Sequence, residues 1–357
     1  MIKELHSKKP YIIADTAFNH EGDIKYLYRM IDEIAGLRLD AIKFHLLLNP
    51  DSYMSREHPL SDEIKKWLFT EKQWTELIQH AIDKNLDIIA LCDDVESIKY
   101  IKNNYNDIFA IEIHAAGIND YFLLKESVNF KGKIILGIGG ASLDEIQYAI
   151  NFFKKQGKHD IILMYGFQSF PTDYMDINLQ KMKKIGDLFD LPVGYADHTS
   201  YDDDYNEVIS IMAAAMGFNI LEKHYTLYPG VKRIDYVASV GKKQMGTIKE
   251  MMELALMIHG NGDIELSENE KAYGNIGPMK KAIVARNVIK NGEKINLDKI
   301  WFKRTAKEST IKQNQLPLLL GLKATKYIEK DEIIDFSKVE YKFKKPDSRA
   351  IGLKQKK

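Results

Sequence analysis

The chain has 357 residues, 45% of them hydrophobic, which is enough for one large domain and a small second one. Lysine plus arginine (51) equals aspartate plus glutamate (51), so net charge gives no general pull toward nucleic acid or an anionic membrane. One cysteine, Cys92, excludes an internal disulfide and suits a reducing compartment.

The first ten residues, Met1 to Pro10, carry basic side chains but no apolar segment followed by a cleavage site. No secretory signal is therefore expected, and the cytoplasm is the expected location. From Tyr11 onward, short apolar runs recur at Tyr11–Asp15, Ala41–His45, Asp87–Leu91, Phe109–His114, Lys133–Gly137, Asp160–Tyr165, Leu191–Ala196 and Asn219–His224. They read as buried strands because they are short and bounded by polar or glycine-containing flanks. Helical spacing separates most of them. In Asp23–Ala35, Leu27, Met30, Ile31 and Ile34 fall on one helix face. Glu71–Lys84, Ser142–Gln156 and Asn178–Phe189 have similar mixed spacing. The longest apolar-rich run, Val208 to Leu221, is broken by Gly217 and Asn219 and falls short of the ~20 residues of a membrane span. It reads as a buried helix leading into a strand. Strands alternating with helices imply a parallel sheet. Eight such units within ~250 residues imply a closed (β/α)₈ TIM barrel, placed at residues 1–262.

A glycine-containing stretch ending at Pro278 reads as a linker, with bounds 263–280. Beyond it, IVARNVIKNGEKINLDKIWFK (Ile283 to Lys303) is echoed by KATKYIEKDEIIDFSKVEYK (Lys323 to Lys342). Setting Ala285 against Ala324 also pairs Ile289 with Ile328, Glu293 with Glu332, Ile295 with Ile334 and Lys299 with Lys338. Two copies are too few for a solenoid and suit a compact pseudo-symmetric β domain, 281–345. The basic, polar segment 346–357 is expected to be a disordered tail.

Chemistry in such a barrel sits at the C-terminal ends of the strands. The polar residues there are Asp15, Asn19 and His20; Lys43 and His45; Glu112 and His114; Tyr165 and Gln168; Asp197 and His198; and Glu222 and His224. His198 and His224 end consecutive strands, which run ~4.8 Å apart, so their imidazoles can converge on a Mn²⁺-like or Zn²⁺-like ion. The plainer reading is that each caps a loop by hydrogen bonding. Lys43 lies inside a strand-like run and must be paired or face a polar mouth. It can bind an anion, form a Schiff base or sit in a structural ion pair. Asp15 can act as a general base or close an Asx-type turn. Gly139–Gly140 can cradle phosphate with backbone N–H groups or form an ordinary loop.

Taken together, these strand ends resemble the sialic acid (N-acetylneuraminate) synthase family over about Tyr11 to Tyr341. The run Ile13-Ala14-Asp15-Thr16-Ala17-Phe18-Asn19-His20-Glu21-Gly22 is similar to A-E-x-x-x-N-H-x-G. Asp40-Ala41-Ile42-Lys43-Phe44 is similar to D-A-x-K-F, and Gly194-Tyr195-Ala196-Asp197-His198-Thr199 to G-Y-S-D-H-T. Leu221-Glu222-Lys223-His224-Tyr225-Thr226 resembles I-E-K-H-F-T, and the segment Asp235 to Ser239 a D-x-x-x-S loop. The duplicated segment resembles the family's antifreeze-like SAF domain, a β-clip. The resemblance implies condensation of phosphoenolpyruvate with the open-chain aldehyde of an amino sugar such as N-acetylmannosamine, in carbohydrate biosynthesis. It implies a divalent metal, Mn²⁺ or Mg²⁺, on His198 and His224, with Asp15, Lys43 and Asp235 catalytic. Asn19, Tyr165, Gln168 and Arg304 are expected to bind substrate. It also implies a homodimer in which the C-terminal domain of one chain delivers Arg304 to the barrel of the other.

The departures are specific. Asp15 stands for a glutamate. The family's K-I-A-S-G-E on the fourth strand is Glu112-Ile113-His114-Ala115-Ala116-Gly117 here, its S-T-G-M is Gly137-Ile138-Gly139-Gly140, and its H-C-T-N/S is Tyr165-Gly166-Phe167-Gln168. A Pro-Gly after the arginine is replaced by Thr305-Ala306. Glu112 in place of a phosphate-facing lysine reverses the local charge. Three functions follow as expectations: a divergent nonulosonic acid synthase, a metal-dependent aldolase or lyase that no longer uses phosphoenolpyruvate, or a non-catalytic sugar-binding homologue. Poor turnover of phosphoenolpyruvate with N-acetylmannosamine is expected.

Overall fold

The computed structural model describes residues 9–169 and 171–340, in two compact units, Met1–Gly262 and Asp263–Lys357. The expected tail, 346–357, lies outside the described residues.

The first unit is the eight-stranded barrel. Its strands are β1 (Tyr11–Asp15), β2 (Ala41–Leu46), β3 (Asp87–Cys92), β4 (Ala110–Ile113), β5 (Lys133–Gly137), β6 (Ile161–Tyr165), β7 (Val193–Asp197) and β8 (Ile220–Tyr225). They pair in parallel in chain order, and β1 closes on β8. The helices Ile24–Gly36 and Glu71–Asp83 start where a side chain satisfies free N–H groups: Asp23 caps the first, and a Thr70/Gln73 capping box the second. Alternation along each strand divides the side chains into two sets. Outward-facing Ile12, Ala14, Ile42 and Phe44 belong to the core between sheet and helices, with Leu27, Met30 and Trp74. Inward-facing Ile13, Ala41, Ile89, Ala110, Ile135, Ile162 and Ile220 form a dry layer inside the barrel. Two residues further along β1, β2, β4 and β8 the same inward column becomes polar, at Asp15, Lys43, Glu112 and Glu222. The run Val208 to Leu221 is, as its pattern implies, the end of the helix Asn206–Ala215 followed by β8. No helix among the described residues is long and apolar enough to cross a membrane.

A fully buried ion pair joins the tops of β7 and β8 on their outward side. Lys223 Nζ lies 2.6 Å from Asp197 Oδ2 and donates to Thr199 Oγ1 at 3.0 Å. Asp197 also accepts from Ser210 Oγ on the helix Asn206–Ala215, and from the Thr199 N–H and hydroxyl. Every charge in this group is met by a partner, the condition under which buried ions are tolerated.

The second unit begins inside the expected linker. Ser267 and Glu270 form a capping box, so part of 263–280 is the helix Glu268–Tyr273. The antiparallel strands β10 (Ala282–Ala285) and β11 (Ile300–Lys303) follow; β9 is the two-residue Ser239–Val240 beside β8 in the barrel. The duplication seen in the sequence is a structural two-fold. Ile289 and Ile328, equivalent positions, exchange both backbone hydrogen bonds. The Ala285 N–H donates to Glu332 O and the Ala324 N–H to Glu293 O, the same bond seen from each half. The side-chain ion pairs Lys299–Glu293 and Lys338–Glu332 repeat in the same way.

Replacing Lys223 with methionine removes one partner of the buried pair and leaves the Asp197 carboxylate buried without its counter-ion. Such losses cost ~3–5 kcal/mol, and denaturant unfolding of K223M against the unmodified protein is expected to show a stability loss of that order.

Candidate active site

The polar inward column converges on Lys43. Its Nζ is 2.8 Å from Asp15 Oδ2, 2.6 Å from Glu222 Oε1 and 3.3 Å from Glu112 Oε2. All four side chains are nearly inaccessible to solvent. Burial works against the Lys43 charge, but the three carboxylates together hold its pKa well above the usual lysine range. Burial alone would raise Asp15, yet Lys43, His45 and His224 keep it well below the ordinary carboxylate range. Glu222 goes the other way: burial, reinforced by Glu112 and Asp15, outweighs Lys43 and pushes it up to about 8. Glu112 is raised as well, mainly by burial. The cluster therefore sets an Asp15 held toward its ionised form beside a Glu222 pushed toward its protonated form. Of the readings open for Lys43, the geometry realises the ion pair. Asp15 also does two things at once, because its Oδ1 accepts the Ala17 N–H at 2.8 Å in an Asx-type turn.

Above this layer lies a cavity of about 540 Å³. Asp15, Lys43, Gln168, His198, His224 and Asp235 all line it, together with His45, Asp93, Glu112, His114, Glu222, Gly139 and Gly140. Gly139 is required by close approach, since a Cβ there would collide with the Gly166 carbonyl oxygen. His45 Nε2 sits 3.1 Å from Asp15 Oδ1, and this carboxylate raises its pKa against the opposing effect of burial. Gln168 Nε2 donates to Asp235 Oδ1 at 3.0 Å, and Asp235 takes a left-handed backbone conformation, φ 59°.

His198 and His224 stand edge to face with ring centroids 4.9 Å apart. Burial, with His224 beside it, lowers His198 to about 3, so its imidazole is neutral as a metal ligand requires. The Nδ1 atoms of both rings are buried without hydrogen-bond partners, so neither ring caps a loop through that atom. The pair fits two ligands of a divalent ion. Among the described residues no group of three His, Cys, Asp or Glu side chains is arranged around such an ion, so water or substrate oxygens would complete its shell.

Three expected site residues lie elsewhere. Asn19 is fully buried and donates to Ile234 O and Ser239 Oγ while accepting from Tyr26 and Thr226, so it anchors the loop that carries Asp235. Tyr165 points away from the cavity and donates to Asn178 O. It ends an alternation in which Met164, not Tyr165, faces inward. Arg304 belongs to the second unit, where its Nε donates to Pro278 O at 2.6 Å. Arg233, two residues before Asp235, does not line the cavity. It lies over the Tyr26 ring and donates to Asn19 O. Asp93 also lines the cavity, although the strand-end pattern does not single it out. It directly follows β3, whose end carries the Asp93-Asp94 pair that could have flagged it. Burial, helped by Asp94 and Glu112, pushes its carboxyl up to about 7.

Residues 30–263 match the model of the NeuB family, and residues 280–340 that of the SAF domain. The N,N'-diacetyllegionaminic acid synthase of Campylobacter jejuni is 30% identical over 92% of this chain and 99% of its own length. A pseudaminic acid synthase of the same species is 25% identical over 90% and 94%. The crystal structure of N-acetylneuraminic acid (sialic acid) synthetase from Leptospira borgpetersenii with citrate superposes with a TM-score of 0.68 at 28% identity, covering 74% of this chain and 90% of that one.

The raised Asp93 carboxyl has a consequence for stability. An unfolded aspartate ionises near ~3.9, so between that value and about 7 the folded state holds an extra proton. Stability attributable to Asp93 is unaffected below pH 4, falls as pH rises through that window and stays reduced above it. Asp93→Asn is expected to be near neutral at pH 4 and stabilising at pH 8, by at most ~4 kcal/mol, as read by denaturant unfolding at the two pH values.

Proposed function

The chain belongs to the NeuB family, and from that premise we propose that it is a nonulosonic acid synthase that joins a pyruvyl donor to the open-chain aldehyde of an amino sugar. The observation that carries the reading is the placement of two imidazoles, His198 and His224, each with a buried Nδ1 that has no hydrogen-bond partner, beside the Lys43 cluster in one cavity at the C-terminal mouth of the barrel. A divalent ion held by these histidines, Mn²⁺ or Mg²⁺, would act as a Lewis acid on the aldehyde oxygen. Asp15 and Glu222 divide the proton work. Asp15 is ionised and available as an acceptor, while Glu222 keeps a proton that the new hydroxyl requires. Gln168 and Asp235, bonded to each other, present an amide and a carboxylate to sugar hydroxyls. With phosphoenolpyruvate, carbon 3 bonds to the aldehyde carbon, water adds at carbon 2 and phosphate leaves.

A second reading has its own support. Lys43 is matched to three carboxylates and is the one Lys or Arg among the described residues lining the cavity, so a phosphate dianion meets no uncommitted cation. Unphosphorylated pyruvate needs fewer. In that reaction a base removes a proton from carbon 3, the bond to the aldehyde carbon forms, and the aldehyde oxygen gains a proton.

Assays with Mn²⁺, a panel of amino sugars and either donor separate the two. Phosphate released in step with keto-acid product supports the first reading, and product from pyruvate without phosphate the second. Keto-acid product from neither donor across the panel would sink both. N-Acetylmannosamine with phosphoenolpyruvate is expected to turn over far below ~10 per second, the median for enzymes.

Metal content can be read independently of activity. The protein is expected to bind one Mn²⁺ per chain, and the H198A/H224A double variant none, by elemental analysis. Equal content in both would remove the histidines from this role.

The family resemblance also supports a homodimer with Arg304 delivered to the barrel of the second copy. Light scattering at micromolar concentration is expected to give twice the 41.1 kDa chain mass, and a monomer would count against it.

A further inference from the structure

The left-handed backbone of Asp235, φ 59°, is one that side-chain-bearing residues rarely take unless the structure around them holds it. Here the chain is held on both sides. Before Asp235, the Ile234 N–H donates to Glu21 Oε1 at 3.0 Å, and Ile234 O accepts from Asn19 Nδ2 at 3.0 Å. After it, Asp235 O accepts from Ser239 Oγ at 2.8 Å and from the Ala238 N–H. Arg233 completes the arrangement. Its guanidinium lies 4.0 Å from the centroid of the Tyr26 ring and donates to Asn19 O at 3.2 Å and Glu21 Oε2 at 3.4 Å. Tyr26 in turn donates to Asn19 Oδ1 at 3.1 Å. A lone, partly exposed ion pair adds little, but this guanidinium serves a ring, a carbonyl and a carboxylate at once. The turn after β1 thus grips the loop after β8. Asn19, Glu21 and Arg233 do not line the cavity, whereas Asp235, bonded to Gln168, does.

We infer that Asn19, Glu21 and Arg233 are positioning residues that clasp the loop after β8, fix the Asp235 carboxylate where the sugar meets it, and so set sugar affinity without touching the sugar. The inference rests on reading Asp235 as a sugar contact of the synthase. Among the described residues, the polar partners of Glu21 and Arg233 do not include His198, His224 or Lys43. Metal and donor binding are therefore expected to be independent of the clasp.

The test is steady-state kinetics on R233A, E21A, D235A and R233A/D235A, with Mn²⁺, saturating donor and whichever amino sugar of the panel gives product. Mn²⁺ content and the denaturation midpoint are recorded for each variant. R233A and E21A are expected to raise the sugar KM by about 10-fold, equivalent to ~1.4 kcal/mol of binding, with Mn²⁺ content and donor KM unchanged. A purely structural role would lower the midpoint and the active fraction and leave the sugar KM where it was. R233A/D235A is expected to lose no more than D235A alone, because residues that act through one contact are not additive. Hydrogen–deuterium exchange at the Tyr236 and Ala238 amides is expected to quicken in R233A. Unchanged exchange there, an unchanged sugar KM in R233A and E21A, or a loss in the double variant that sums the two single losses would overturn the inference while leaving Asp235 as a sugar contact. If R233A fails to fold, E21A decides by the same measurements, with E21A/D235A as its double variant. An unchanged sugar KM in D235A would remove the reading of Asp235 and the inference with it. Absence of product across the panel would sink the synthase reading and, with it, the inference.

Discussion

A lysine ammonium inside a barrel must be paired, and the first unit is organised around meeting that demand at Lys43. An unpaired buried charge costs several kcal/mol even after the protein relaxes. Here the partners come from β1, β4 and β8, so a single ammonium is satisfied by three parts of the chain far apart in sequence. Pairing of Asp15 with both Lys43 and His224 in the strand register ties this layer to the adjoining histidine. On β2, β4 and β8 the inward column therefore passes from an apolar side chain to a charged one and then to an imidazole, at Ala41, Lys43 and His45, at Ala110, Glu112 and His114, and at Ile220, Glu222 and His224. On the outer surface the Lys223–Asp197 pair fixes the strand ends that carry the two histidines, since each partner is their immediate neighbour in sequence.

Much of this was legible before any coordinates. The eight strands were found within a residue or two of their observed ends, because buried parallel strands are short, apolar and bounded by polar segments. The inward placement of Lys43, Glu112, Glu222 and His224 also follows from alternation once the strand ends are set. What alternation cannot show is which charges meet. Glu112 read as a group repelling phosphate; in the fold it is also a counter-ion of Lys43, contributed from 69 residues away. Asn19 and Tyr165 were misplaced for separate reasons. Asn19 lies in the turn after β1, where no period fixes direction, and Tyr165 is one position out of phase with the inward set. Asp93 lies one residue beyond the apolar run of β3, where the strand pattern no longer fixes which way a side chain faces.

The second unit was legible for a different reason. Its repeat is visible as matched residue types at a constant offset, and matched types at matched positions call for matched surroundings. The coordinates supply them through paired hydrogen bonds and paired Lys–Glu contacts in both halves. Within the expected linker, the Ser267/Glu270 capping signal carried more weight than the glycines around it, and a short helix resulted.

The reciprocal bonds between Ile289 and Ile328 have an implication for chain connectivity. Each half binds the other through the same positions, so these contacts are indifferent to which half comes first along the polypeptide. Joining the existing ends and opening the connection between Lys303 and Lys323 would exchange their order while preserving every one of these cross-half bonds. In this respect the unit behaves as a two-fold dimer that happens to be written on one chain, with its connecting segment adding Ile311 and Leu319 to the core that the two halves share.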